Sequence, residues 1–226
     1  CLTCGKAFSD SQNYWPSGEW RTSSPESQGM NSDILADLVR LIMFAPNSID
    51  SVTVIRNGYI VLDAYFYPFQ KDKAHTLHSC TKSITSTLVG IAIDKGYIKD
   101  VHQRLLEFFP EITPANTTEG KMNISLENIL TMATGLECRD NYMYRWQGLV
   151  KMRKSSNWTQ YMLDLPMEEA PGQRFEYCNG ATYLLSAIIQ KRTGMRSLKF
   201  AKDNLFEPLG ISEVKWETNP QGIDVG

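Results

Sequence analysis

Ser79 and Lys82 stand one helical turn apart at the start of an apolar run, in the stretch HSCTKSITSTLVGIAIDKG, residues 78–96. Side chains at positions i and i+3 of a helix share one face, so the hydroxyl and the amine can meet. A desolvated lysine can take the proton of a neighbouring hydroxyl, or keep that hydroxyl oriented, which makes the serine a nucleophile. The run predicts a mostly buried helix that begins near Ser79 and ends at Lys95-Gly96. Taken alone, so short a pattern fits a capping serine and a solvated lysine better, because it recurs by chance.

A second polar group, Tyr177-Cys178-Asn179, comes directly before another apolar helix predicted over residues 181–193. By itself the pattern is weak, since a tyrosine packed on the core and an asparagine in a turn explain it equally well.

Composition narrows the class of protein. The 226 residues carry a net charge of -2, with 42% hydrophobic and 21% charged residues, as in an ordinary globular protein. This charge gives no reason to expect a nucleic acid or an anionic membrane as partner, and no apolar run approaches the roughly 18 residues that span a bilayer. The five cysteines are too few for a disulfide scaffold, so we interpret Cys80 and Cys178 as small buried residues. The Cys1/Cys4 pair has no second pair and the three histidines lack metal-ligand spacing, so no metal or cofactor is expected.

The pattern along the chain predicts an extended arm over residues 1–30 and one domain over residues 31–226. Two β-rich runs flank Asn57-Gly58, the strongest short hairpin signal. Residues 137–176 lack periodicity and are predicted to be irregular and functional. Helices are predicted from Asn31 or Ser32, from Ser79, from Ser125 to Gly135, over 181–193 and over 198–210. At least four helices therefore have apolar faces, while only two strands are available to cover them.

The two motifs together, Ser79-Cys80-Thr81-Lys82 and Tyr177-Cys178-Asn179, resemble those of the serine β-lactamase and penicillin-binding-protein superfamily. The tyrosine version is similar to class C β-lactamases, DD-peptidases, carboxylesterases and nylon-oligomer hydrolases. Agreement extends over roughly residues 25–226 and includes VTVIRNGYIV, ILTMATGL and LFEPLGI in the expected order. The resemblance implies an α/β (α+β) fold, in which an antiparallel sheet is flanked by helices and joined to a helical subdomain. It outweighs the capping interpretation of Ser79.

The chain departs from this family in one respect. Members carry a third motif, Lys or His followed by a small residue and Gly, on a strand that lines the site. After Tyr177 only Lys191-Arg192-Thr193-Gly194 comes near it, and that stretch lies at a predicted helix end. We therefore expect the C-terminal strands and the third motif to be missing from this chain, to come from a further segment or a second chain, and residues 1–226 alone to be nearly inert.

The resemblance implies a role for each matching residue. Ser79 would form an acyl-enzyme, Lys82 would hold or receive its proton, Tyr177 would shuttle protons, and Asn179 would position Lys82 and the substrate. The substrate would be a small amide, ester or β-lactam. Trp146 and Trp158 are candidates for lining the acyl pocket, with loop packing an equal alternative.

Three further features of the sequence allow other interpretations. Glu168 or Glu169 could act as the carboxylate base of class A enzymes, but the tyrosine motif removes that need. A catalytically silent binding module, or a fragment that works only with a complementing segment, remains the alternative to an enzyme. Cys1 fits a lipid-modified N-terminus and an arbitrary cut equally well, and we favour the bacterial cell envelope or periplasm over the cytoplasm.

Overall fold

The described part of the chain, residues 19–46 and 49–226 of this computed structural model, is mostly helical and contains one two-stranded antiparallel sheet. The elements are α1 (Ser32–Phe44), β1 (Ser51–Arg56), β2 (Tyr59–Tyr65), α2 (Thr81–Asp94), α3 (Glu119–Met122), α4 (Leu126–Leu130), α5 (Gln147–Lys154), α6 (Trp158–Asp164), α7 (Asn179–Thr193) and α8 (Ser197–Ala201). Short 3-10 turns cover Glu26–Gln28, His78–Cys80, Leu105–Phe108, Tyr142–Tyr144 and Glu207–Leu209, and a π-helical turn covers Lys202–Phe206.

The chain divides into two compact units. The first contains the described residues up to Thr76 together with 208–211, and the second contains 77–207 and 212–226. Every residue proposed for the site belongs to the second unit. Cys1, Cys4 and most of the predicted N-terminal arm lie outside the described residues.

The predicted hairpin is the sheet of the first unit. Asn57 and Gly58 connect the strands with φ of 52° and 78°, the left-handed pair that matches the twist of a two-residue hairpin. A parallel bridge between Thr22 and Ile60 adds a short piece of the N-terminal arm to β2.

Helix α1 of the first unit begins where the sequence predicts. The Asn31 side chain accepts hydrogen bonds from the backbone N–H groups of Asp33 and Ile34, which satisfies two donors of the first turn. Its apolar stripe is only partly covered: Leu35 is buried, whereas Leu41 is 70% exposed. Helix α1 therefore presents an apolar face that the described residues of its own unit do not cover.

Helix α7 forms the centre of the second unit. All ten residues from Gly180 to Ile189 are buried, so the helix is surrounded by other elements over more than two turns. Apolar side chains of α2, α4 and α6 belong to the same core, among them Leu88, Ile129 and Met162. Gly194, with φ of 72°, ends the helix at the predicted place.

The segment 137–176 was predicted to be irregular, and this is wrong in part. It contains α5 and α6, of eight and seven residues. Helices of two turns give too few apolar repeats to be separated from loop sequence. The helix entered through Ser125 also ends at Leu130 rather than at Gly135, and the one predicted over 198–210 is α-helical only up to Ala201. None of the helices in the described residues is long and apolar enough to cross a membrane.

Candidate active site

Ser79 lies in the 3-10 turn that leads into α2, two residues before the first residue of that helix. The preceding residue, His78, has a left-handed φ of 46°, which turns the chain sharply just before the serine. Such strained backbone concentrates at functional sites. Ser79 is exposed, so its hydroxyl is reachable from solvent.

The Ser79 hydroxyl forms a hydrogen bond with the Tyr177 hydroxyl, with 2.6 Å between the two oxygens. The half-buried Lys82 lies over the ring of the same tyrosine, with Nζ 5.5 Å from the ring centroid. An ammonium over a ring face is attracted by the negative side of the π system. Among the described residues, no hydrogen bond joins Ser79 to Lys82: the phenol lies beside the serine, and the lysine contacts the phenol's ring.

Asn179, the first residue of α7, is directed at a carboxylate that the sequence reasoning missed. Its backbone N–H and its side-chain Nδ2 both donate to Oδ2 of Asp140, at 2.9 and 3.2 Å. The resemblance implied that this amide positions Lys82. In this structure its partner is Asp140.

Asp140 is almost completely buried, with 1% of its surface exposed. Its other oxygen, Oδ1, accepts the backbone N–H of Leu149 in the first turn of α5. Burial raises the pKa of the Asp140 carboxyl above its ordinary value, while the hydrogen bonds from Asn179 and Leu149 and the positive charge of Lys82 act in the opposite direction.

A disulfide between Cys138 and Cys178 joins the Asp140 segment to the Tyr177-Asn179 motif. Cys178 is buried, as predicted, but it is not merely a small buried residue, because its sulfur is bonded to Cys138. The interpretation of Cys80 is also wrong, since this free cysteine is exposed in the turn beside Ser79. Sequence could not pair Cys138 with Cys178, because no spacing rule relates cysteines 40 positions apart.

One group of three potential metal-ligating side chains occurs in the described part of the chain: Cys138, Asp140 and Cys178. Both sulfurs belong to the disulfide, so neither is a thiolate. One carboxylate oxygen remains as a ligand, which is too few for a metal site.

The two tryptophans have different surroundings. Trp146 packs edge-on against Tyr177, with 6.0 Å between ring centroids, and remains 42% exposed. Trp158 is buried, and its ring packs against Tyr183 in the core at 5.4 Å. Trp146 stays a candidate for substrate contact. Trp158 is part of the core.

The site is therefore built from three segments of one unit: the start of α2, the start of α7 and the stretch from Cys138 to Trp146. A family model described as Beta-lactamase matches residues 49–224, which is most of the chain. The chain belongs to the beta-lactamase family.

Similarity to individual proteins agrees with this family. A 6-aminohexanoate-dimer hydrolase of Paenarthrobacter ureafaciens is 25% identical over 171 residues, which cover 71% of this chain and 42% of the relative. A Bacillus anthracis protein with a provisional 6-aminohexanoate-dimer hydrolase assignment superposes with a TM-score of 0.65 at 18% identity, over 85% of this chain and 50% of its own. The octameric penicillin-binding protein homologue of Pyrococcus abyssi superposes with a TM-score of 0.62 at 19% identity, over 87% of this chain and 50% of its own. The chain thus spans about half the length of these relatives, and it has the β-lactamase/transpeptidase fold over that part.

The stretch of this beta-lactamase-family chain that comes nearest to the third motif lies far from the start of α7. Lys191, in the stretch nearest to the third motif, pairs with Glu111 at the far end of α7. Twelve residues of helix place it about 18 Å from Asn179.

The two glutamates considered as class A bases are held in ion pairs. Glu168 lies 2.5 Å from Arg139, and Glu169 lies 2.7 Å from Arg174. Both side chains are therefore paired with arginines rather than solvated alone. These ion pairs indicate a structural role for both glutamates.

Proposed function

We propose that this protein is a serine hydrolase that cleaves amide or ester bonds through an acyl-enzyme on Ser79. The observation that carries the proposal is the 2.6 Å hydrogen bond between Ser79 and Tyr177, beneath the ammonium of Lys82. A nucleophile within hydrogen-bond reach of a proton acceptor, with a third group orienting that acceptor, is the arrangement that covalent catalysis needs.

In the acylation step, Ser79 Oγ attacks the substrate carbonyl carbon while its proton passes to the Tyr177 oxygen. Lys82 Nζ lies 5.5 Å from the centroid of the Tyr177 ring, so its positive charge stabilises negative charge that develops at this site during the transfer. Tyr177 then gives the proton to the leaving amine or alcohol, and the bond to the leaving group breaks. Deacylation repeats the sequence with water as nucleophile and Ser79 as leaving group.

The negative charge that develops on the substrate carbonyl oxygen during the attack needs hydrogen-bond donors. The start of α2 supplies the positive end of a helix dipole close to Ser79, and the Ser79 backbone N–H is the first oxyanion donor in this proposal. A second donor would come from the strand that carries the third motif. Removal of one such donor lowers kcat by roughly 10²–10³.

A C-terminal segment or a second chain would supply that strand. The proposal is supported by the two-stranded sheet of the described residues, the open apolar face of α1 and the double length of the relatives. An uncovered strand edge and an exposed apolar face are aggregation hazards, and a covering strand would remove the first of them.

Small amides and esters are the proposed substrates, with β-lactams as a related possibility to be tested. The name of the Paenarthrobacter relative describes hydrolysis of an amide-linked dimer. The exposed ring of Trp146, in contact with Tyr177, offers an apolar surface to the acyl or leaving group beside the nucleophile.

The second candidate is a catalytically silent binding module of the same fold. It is favoured by the absence of a Ser79–Lys82 hydrogen bond in the described residues and of a third motif in this sequence.

Reaction of the full-length protein with a fluorophosphonate probe distinguishes the serine hydrolase from the silent binding module. The enzyme predicts covalent labelling that is lost in Ser79→Ala and retained in Ser83→Ala, a change at an exposed serine of α2. Absence of labelling in the folded wild type, or equal labelling of Ser79→Ala, would reject the hydrolase.

A further inference from the structure

We infer that Asp140 is a positioning residue of this site: its buried carboxylate joins the first turns of α5 and α7 and thereby aligns Trp146, Tyr177 and Asn179. The inference rests on the serine hydrolase function proposed above. Asp140 does not contact Ser79 in this account, and it acts through the residues that it holds.

The hydrogen bonds assign one carboxylate oxygen to each helix. Oδ1 accepts from Leu149 of α5, and Oδ2 accepts twice from Asn179 of α7. The first amides of a helix have no partner within it and need an acceptor from outside. The N-cap residues of these two helices, Trp146 and Cys178, provide no side-chain cap of their own. Asp140 provides the hydrogen-bond acceptor for the first turns of both helices.

The backbone around Asp140 is shaped to admit the carboxylate. A Cβ atom on Gly148 would lie 1.7 Å from the Cys138 carbonyl oxygen and 2.6 Å from Asp140 Oδ1, so only glycine fits at the start of α5. Arg139 has a left-handed φ of 55°, which turns the chain immediately before the aspartate. The Cys138–Cys178 disulfide also links the Asp140 segment covalently to the residue before α7.

The two helix starts carry the aromatic groups of the site. Trp146 is the residue before α5, and Tyr177 lies two residues before Asn179. Their rings meet edge to face at 6.0 Å. A shift of α5 relative to α7 therefore moves both Trp146 and the phenol that contacts Ser79, and the bridging carboxylate resists that shift.

Position matters because proton transfer is sensitive to small displacements. A misplacement of about 1 Å can lower a rate on the order of 10²-fold. A cap with a purely structural role would instead change stability and leave the turnover of the folded protein intact.

The test is Asp140→Asn in the full-length protein, with Asp224→Asn as the matched control. Asparagine keeps the shape but replaces one acceptor oxygen with an NH₂ group, so one helix start loses its partner. Asp224 is equally buried, accepts the backbone N–H of Leu198 at the start of α8 and pairs with Arg196, and in the described residues it has no hydrogen bond to Ser79, Tyr177 or Asn179. We expect ester hydrolysis with kcat about 10- to 100-fold lower in Asp140→Asn and KM changed by less than about threefold. Asp224→Asn should lower the unfolding midpoint similarly and keep kcat.

A double-mutant cycle tests whether Asp140 affects kcat through Asn179. If Asp140 acts through Asn179, the losses of kcat in Asp140→Asn and Asn179→Ala are not additive. An unchanged kcat in Asp140→Asn, or equal loss of kcat in Asp140→Asn and Asp224→Asn, would overturn the inference. Should Asp140→Asn not fold, Asp140→Glu keeps the charge and displaces it by one methylene, and full kcat in that variant would also overturn it.

Failure of the proposed function can be told apart from failure of this inference. If the wild type neither hydrolyses the ester nor reacts with the fluorophosphonate, the hydrolase proposal is wrong. Amide hydrogen exchange then decides the positioning role: Asp140→Asn should speed exchange at Leu149 and Asn179 and leave Ile188 protected. Unchanged exchange at both amides would reject it.

Discussion

The Ser79 and Tyr177 hydroxyl oxygens lie 2.6 Å apart, although 98 positions separate the two residues in the sequence. The distance is within the range of an O–H···O hydrogen bond. It depends on the packing of α2 against α7, because each residue lies two positions before the first residue of one of these helices. The chemistry of the site is therefore a consequence of core packing.

Replacement of Tyr177 by phenylalanine tests the phenol as the proton acceptor. Tyr177→Phe keeps the ring that contacts Trp146 and Lys82 and removes the oxygen that contacts Ser79. We expect fluorophosphonate labelling to slow by roughly 10²–10⁴-fold, the range for loss of a general base. Labelling is followed against time, with Tyr97→Phe, whose ring packs on Phe200, as the control. Wild-type labelling of Tyr177→Phe would exclude this role.

The charge of Lys82 is tested by Lys82→Met, which keeps the length and apolar stem of the side chain. Loss of the ammonium over the Tyr177 ring should slow acylation by about 10²-fold or more. The unfolding midpoint is measured in parallel, because the variant also loses the attraction of the ammonium to the Tyr177 ring and to the Asp140 carboxylate. The control is Lys95→Met at the exposed end of α2. Equal acylation rates for Lys82→Met and the wild type would show that the charge is not used.

The Cys138–Cys178 disulfide should contribute to stability because it restricts the unfolded chain. For a loop of 40 residues the chain-entropy relation gives about 4 kcal/mol. Cys138→Ala/Cys178→Ala should lower the free energy of unfolding by roughly 2–4 kcal/mol in urea titrations. Reductant should destabilise the wild type and leave the double variant unchanged. If reductant has no effect on the wild type, the bond is absent in solution.

The parts of the fold that sequence predicted are those with strong local signals. Asn57-Gly58 fixed the hairpin, Asn31 the start of α1, and Gly194 the end of α7, because each satisfies a backbone requirement within a few residues. The pairing of Ser79 with Tyr177 was expected only through the family resemblance, since no local rule brings together residues so far apart.

The parts that were missed depend on tertiary contacts. Asp140 lies in a stretch without periodicity, and its partners, Leu149 and Asn179, belong to two different helices. Nothing within a few residues of Asp140 distinguishes it from a solvated aspartate. The proximity of Cys138 could have drawn attention to it, had the pairing with Cys178 been foreseen.

A pH dependence of stability is expected from His75 in the first unit. A hydrogen bond from the ring to Asp50, at 2.7 Å, raises the pKa of His75 above its ordinary 6.5. The stabilisation by the His75–Asp50 hydrogen bond is therefore fully present below the pKa that His75 has in the unfolded chain. It is lost as pH rises through the higher pKa that His75 has in the folded protein. His75→Gln should lower the urea midpoint more at about pH 5.5 than at about pH 9. An equal difference at both pH values would contradict this assignment.

The central claim, an acyl-enzyme on Ser79, is tested most directly by acid quenching of the full-length protein during turnover of an aryl ester. Peptide mass analysis should then find the acyl group of the ester on the peptide that contains Ser79. The same adduct should be absent from Ser79→Ala, which should also have lost turnover. Turnover that persists in Ser79→Ala, or an acyl group found on another residue, would contradict the account.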